Sequence, residues 1–397
     1  MQLTPEQQAM LEGRHGRSIQ KAMQILATLG RIYGAEKMLP IRSVQISGVS
    51  YANLGEPGLE WLSEMAADGS QVKALTTLNP AGMDIENWKV LGIDPEFARD
   101  QTRVLDAFGR MGITLTCSCT PYLFGNLPEQ GEHIAWAESS AVCYANSVLG
   151  ARTNREGGPS ALAAALTGFT PAYGLHLDEN RQPTVTVEVD EQPEGTWQFG
   201  VLGKAIGDKL QGQQSVPFIT GIGHASLEEL KSFCASIATY GGTALFHMVN
   251  ITPEVDQFTA PRDGIRITQV NLDKARSDLQ GASLKEVDFV SLGCPHLSLR
   301  EVQRIAELLQ GKKVTREFWI TTSRPVKRLA DEAGYTAIIE SSGAKFAVDT
   351  CCVVAPIEGR FKAMLTDSAK ACYYAQSRNK FQMHILPFDK VVREACR

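Results

Sequence analysis

Two rhythms alternate along the chain. From Thr4 to Gly34 apolar residues return at every third or fourth position, as in SIQKAMQILATLGRIYG, and this spacing predicts a pair of helices. Thr4, Pro5 and Gln7 supply the first of them with an N-cap, a proline at the first helical position and a capping-box partner. IRSVQISGVS and VKALTTLNPAG are instead short β-branched runs closed by Gly, Ser, Asn or Pro, which predict strands ending in loops. After residue 206 the two patterns interleave. VPFITGIGHASLEELKSFCASIATYGG, DFVSLGCPHLSLREVQRIAELLQG and EFWITTSRPVKRLADEAG each read as strand, turn, helix, with Ser298 and Glu301 in capping-box register. Strands alternating with helices predict an α/β fold of parallel sheets covered on both faces, with ligands gathered beyond the carboxyl ends of the strands. The stretch TLTCSCTPYL is β-prone up to its cysteines and then predicts a strand breaking into a loop. Approximate divisions fall at 1–120 (N-terminal helices and an α/β subdomain), 121–205 (a central motif-rich region) and 206–397 (repeated α/β units).

Composition narrows the chemistry. The 397 residues carry 39 Lys and Arg against 44 Asp and Glu, a formal charge of -5, and 43% are hydrophobic. No basic block suggests a nucleic-acid groove or an anionic membrane surface, so small-molecule chemistry is the expectation. MQLTPEQQAMLEG lacks the basic and apolar regions of a signal peptide, and no stretch approaches the roughly 20 apolar residues that span a bilayer. The expected location is cytoplasmic. In that reducing compartment the nine cysteines are candidates for packing, nucleophile or metal ligand rather than disulfides.

Spacing decides between metals. Zinc ribbons use close pairs of cysteines, whereas here a C-x-C at Cys117 and Cys119, a lone Cys294 and the adjacent Cys351 and Cys352 lie far apart. Thiolates from three strand-loop junctions suit an iron–sulfur cluster with one iron left open as a Lewis acid. Pro121 and Pro295 fix local φ and would hold the neighbouring thiols in loops. Two other classes stay open: a non-catalytic α/β binding protein with buried structural thiols, and a nucleophile at Cys119 or Cys117, although CSCTPY has no Lys or Arg beside it. Cys143, Cys234, Cys372 and Cys396 read as packing.

The stretch CTPYLFGNLPEQGEHIAWAESSAVCYANSVLGARTNREGGPSAL, followed by GLHLDE, GCPH and VDTC, resembles the large subunit of the aconitase X family, and the likeness spans nearly the whole chain. The resemblance implies an aconitase-superfamily catalytic body of parallel-sheet α/β subdomains without the swivelling domain. It also implies an iron–sulfur hydro-lyase, with a separate small swivelling-domain subunit completing a heterodimer. Carried over by motif, Cys119, Cys294 and Cys351 would hold a [4Fe-4S] cluster with one open iron, with Cys117 and Cys352 as adjacent alternatives. CTPY, TLNPAG and ARTNREGGPSA match the family branch that dehydrates (R)-5-phosphomevalonate to trans-anhydromevalonate 5-phosphate in a modified mevalonate pathway. The branch acting on cis-3-hydroxy-L-proline reads CAPY, TLNVG and ARTDRYGD and is the alternative.

By the same resemblance Gly48, Val49, Ser50, Asn79, Pro80, Ser139, Ser140 and Lys370 would line the substrate site. The residues themselves are consistent with this: loop amides near Gly48, the Ser368 hydroxyl and the Lys370 charge suit an anion. Arg152 and Arg155 are further candidates for carboxylate or phosphate, or for structural pairing with Glu138 or Glu156. The proton-abstracting base is expected on the partner subunit, with Glu138 and His296 as candidates within the chain and His133 and His176 as weaker rivals.

Overall fold

The helices begin where their capping residues are written. Thr4 Oγ1 accepts from the Gln7 amide while Gln7 Oε1 accepts from the Thr4 amide, opening Pro5–Leu11, and Arg17–Ile32 follows. Ser298 and Glu301 make the same reciprocal box at the start of Leu299–Leu309. The computed structural model describes residues 1–210 and 215–397.

The strands form three parallel sheets rather than one continuous one. An N-terminal sheet has the order Leu75–Leu78, Ser43–Ile46, Ala135–Trp136, and an antiparallel pair, Met38–Pro40 with Phe169–Pro171, lies apart from it. A middle sheet has the order His247–Met248, Pro217–Thr220, Val185–Val189, Gly264–Ile267. A C-terminal sheet runs Lys345–Val348, Glu317–Thr322, Phe289–Leu297, Ala363–Thr366, Gln382–Ile385. The N-terminal and C-terminal bodies each have an apolar cluster of their own, and a third, centred on the middle body, runs into both and takes in Trp136 and Trp319. Leu26, Ile46, Phe108 and Leu162 belong to the N-terminal core, Phe233, Phe246 and Ile219 to the middle one, and Ile305, Phe318 and Ile320 to the C-terminal one. Among the described residues no helix is long and apolar enough to cross a membrane.

Two local expectations change. The run before Cys117 does not become a strand; it touches the N-terminal sheet at one bridge, Thr77 with Thr114. The Thr116 hydroxyl takes over the pairing by exchanging bonds with the Leu78 backbone, and Cys117 then turns to a positive φ of 44°. Cys294 is likewise not in a loop. It sits inside the nine-residue strand Phe289–Leu297, whose register against Glu317–Thr322 shifts between Leu292 and Leu297. That bulge takes the backbone out of the ladder and aims the Cys294 region sideways. Gly293 permits it: its φ is 109°, and a Cβ there would stand 2.1 Å from the Thr321 carbonyl oxygen.

Candidate active site

The carboxyl ends of the N-terminal and C-terminal sheets face one another across a cavity of about 220 Å³. Each strand of the N-terminal sheet delivers its following residues to the wall: Ser47 and Gly48, Asn79 and Pro80, then Ala137, Glu138 and Ser139. The opposite wall holds Cys294 from the bulge, Cys351 from the loop after Lys345–Val348, and Lys370 from the helix Ala369–Ser377 after Ala363–Thr366. Cys119 completes this lining. Three of the nine cysteines, distant in sequence, thus open on one space, and each lies within electrostatic reach of another.

Their neighbours face elsewhere. Cys117 is fully buried in the N-terminal core, and Cys352 turns inward, with its carbonyl accepting from Asn379 Nδ2 at 2.7 Å. Burial pushes the Cys119 and Cys294 thiols up to about 12, with Lys370 pulling in the other direction, and raises Cys351 as well. An activated nucleophile needs the opposite shift. No three His, Cys, Asp or Glu among the described residues are close enough to hold a single metal ion. A tetrahedral ion with 2.3 Å bonds needs sulfurs about 4 Å apart, so the wider set of three thiols fits a polynuclear cluster better than zinc.

Lys370 and Glu138 form a buried pair at 2.5 Å that joins the two bodies. Burial opposes the charge on each, yet the Lys370 ammonium, the Ala141 amide and the Ser140 hydroxyl hold Glu138 below its ordinary range. Glu138 and the nearby thiols likewise hold Lys370 above its own. Ser140 is spent inside this pair, accepting from Lys370 Nζ at 2.7 Å. Glu138 is therefore a fixed carboxylate.

His296 is fully buried and outside the cavity lining. Its Nε2 faces the Thr350 carbonyl at 2.9 Å and so carries the proton, leaving Nδ1 to accept from Ser118 Oγ at 3.2 Å. Its amide also donates to Cys119 Sγ at 3.2 Å. The imidazole fastens the Cys119 loop to the Cys351 loop and has no lone pair free for substrate. His133 and His176 pair with each other, Nδ1 to Nδ1 at 3.0 Å, away from this cavity.

Of the sequence-predicted substrate residues, the structure brings Gly48, Asn79, Pro80, Ser139 and Lys370 to the lining. Val49, Ser50 and Ser140 stand one layer behind it, where the Ser50 hydroxyl donates to the Val354 carbonyl at 3.0 Å. Arg155 lines the cavity, whereas Arg152 pairs with Asp178 at 2.5 Å elsewhere. Asn53, Tyr374 and Arg378 also line it and were not singled out in the sequence. Among the described residues, Arg155 and Arg378 pair with no carboxylate, so two guanidinium charges remain available to the cavity.

Residues 1–179, 183–277 and 287–397 match the aconitase X first, second and third domains respectively. The chain belongs to the aconitase X family. It is 45% identical to the phosphomevalonate dehydratase large subunit of Methanocaldococcus jannaschii over 95% of this chain and 96% of that one. It is 46% identical to the protein of that name from Methanothermobacter thermautotrophicus, over 93% and 92% of the two chains. The cis-3-hydroxy-L-proline dehydratase of Pseudomonas aeruginosa is more distant, at 33% identity over 93% of this chain and 65% of its own. A crystal structure of Thermococcus kodakaraensis aconitase X, holo-form, superposes with a TM-score of 0.93 at 43% identity, covering all of both chains. The expected aconitase X α/β body is thereby borne out.

Proposed function

We propose that this chain is the catalytic large subunit of a phosphomevalonate dehydratase, removing water from (R)-5-phosphomevalonate to give trans-anhydromevalonate 5-phosphate in a modified mevalonate pathway. The observation that carries the reading is one cavity combining three converging thiols with two unpaired arginines. Four relatives at 44–46% identity bear the name phosphomevalonate dehydratase large subunit, as does one from Aeropyrum pernix at 32%, while the hydroxyproline enzymes stand at 31–33%.

An iron–sulfur cluster, of [4Fe-4S] type with one open iron, would be held by Cys119, Cys294 and Cys351 and would supply Lewis acidity toward the departing hydroxide. The chain's own residues bind and orient the substrate. A phosphate of about −1.5 to −2 and a carboxylate need more positive charge than Lys370 provides, because Glu138 already balances it. Arg155 and Arg378 supply that surplus, and their planar forks suit both anions. Backbone near Gly48 and Asn79 closes around the same groups.

No free base is present on the described wall: its one carboxylate, Glu138, is held by Lys370, and no histidine lines it. The group that takes the C2 proton therefore belongs to a small swivelling-domain subunit, and the active species is a heterodimer. The deciding experiment co-produces the chain with that subunit without oxygen, then follows water loss from phosphomevalonate and from cis-3-hydroxy-L-proline in parallel. The expected result is turnover of phosphomevalonate alone by a brown protein. Turnover of only the cyclic amino acid, or a colourless protein free of iron and sulfide, overturns the reading.

A further inference from the structure

Gln101 lies in the middle of the helix Pro95–Arg110, is completely buried, and does not line the cavity. Its Oε1 accepts from the Tyr51 amide at 2.9 Å and from the Gly82 amide at 3.0 Å, while its Nε2 donates to the Val49 carbonyl at 3.0 Å. Val49 and Gly82 belong to the two loops that leave the central and edge strands of the N-terminal sheet, and Tyr51 opens the helix Tyr51–Met65 that follows the first of them. The ladder between those strands ends where the Asn79 amide donates to the Ile46 carbonyl at 2.8 Å. Past that point one side-chain amide bridges the loops.

A side-chain amide meets the demand. Two N–H groups need an acceptor and one carbonyl needs a donor, which also fixes which end of the Gln101 amide is oxygen. The fit is close: a Cβ on Gly82 would lie 2.5 Å from Phe97, 2.6 Å from Ser50 Oγ and 2.8 Å from Gln101 Oε1. The clamped loops are tied onward to the Cys351 loop, because the Ala81 amide donates to the Asp349 carbonyl at 2.8 Å and Ser50 Oγ to Val354.

We propose that Gln101 is a positioning residue that sets the separation of the Gly48–Tyr51 and Asn79–Gly82 loops, and through it the substrate affinity of the cavity. This rests on the proposed dehydratase function. The test uses the anaerobic heterodimer with Gln101→Met, which removes all three bonds, and Gln101→Glu, which keeps an acceptor for both amides. Steady-state kinetics with phosphomevalonate, iron content and thermal midpoint are measured together.

The expected result is a KM about tenfold higher in Gln101→Met with kcat and iron content near wild type, and a smaller rise in Gln101→Glu. An unchanged KM alongside a lowered thermal midpoint overturns the proposal, as does loss of iron and kcat at constant KM. Should Gln101→Met not fold, Gln101→Glu carries the same comparison. Inactivity of the wild-type heterodimer would instead refute the dehydratase reading, and amide hydrogen exchange on the chain then decides the clamp. Joint loss of protection at Tyr51 and Gly82 in Gln101→Glu supports it, and unchanged protection at both overturns it.

Discussion

Lys370, Tyr374 and Arg378 stand four residues apart, so one face of the helix Ala369–Ser377 and its C-cap delivers three side chains to the cavity. Lys370 was legible through its DSAK motif. Arg378 carries no motif, and only the helical spacing from Lys370 would have pointed to it. If they bind the substrate's anions as proposed, Arg378→Gln and Arg155→Gln each remove a charge-assisted contact of about 1.5–3 kcal/mol, so the KM for phosphomevalonate is expected to rise roughly 10- to 100-fold in steady-state assays. The proposed sulfur ligands make a sharper contrast. Cys119→Ser, Cys294→Ser or Cys351→Ser is expected to abolish bound iron and visible absorbance, whereas Cys117→Ala and Cys352→Ala, whose thiols face the interior, keep both. The sequence showed the distant cysteine groups, and motif resemblance singled out Cys119 and Cys351; the physical reason that these members of each pair open on the cavity was not legible, since it depends on the turn at Cys117 and on packing across the chain.

Helix starts were the most legible elements, because a cap is a local bond between residues three apart, as at Thr4 and Ser298. Strand ends were less so. The threonines before Cys117 have high β-propensity, but Thr116 spends its hydroxyl on the Leu78 backbone and the run stays outside the sheet. Pro295 suggested an interruption at Cys294, yet the strand continues by bulging, which required knowing that Thr321 lies against Gly293. Gly293→Ala puts a methyl against that carbonyl at a φ suited to glycine. It is expected to cost about 3 kcal/mol or more, read as a depressed thermal midpoint or loss of soluble protein.

At the scale of the whole molecule, specific polar ties join the N-terminal and C-terminal bodies alongside a shared apolar cluster: Glu138 to Lys370, Ser50 to Val354, Ala81 to Asp349, Ser118 to His296, and Arg324 to Asp84. Breaking the first by Lys370→Met leaves a buried carboxylate without its counter-charge, with an expected loss of about 3–5 kcal/mol in thermal or urea unfolding. Stability also carries a pH signature. Burial raises the Asp367 carboxyl from 3.8 to about 6 despite the bond from the Thr196 hydroxyl at 2.7 Å. Between those values the folded chain holds a proton that the unfolded chain has released, so this contribution favours folding at the acid end and is lost as the pH rises through 6. Asp367→Asn is therefore expected to raise the thermal midpoint at pH 7.5, by an amount that shrinks to nothing as the pH falls toward 4. The wide spacing along the chain of the three thiols that open on the cavity has a consequence for biosynthesis. A growing polypeptide does not possess the full set of proposed sulfur donors until residue 351 has emerged. On the proposed assignment, prematurely terminated products would lack a donor and be left unable to sequester the metal.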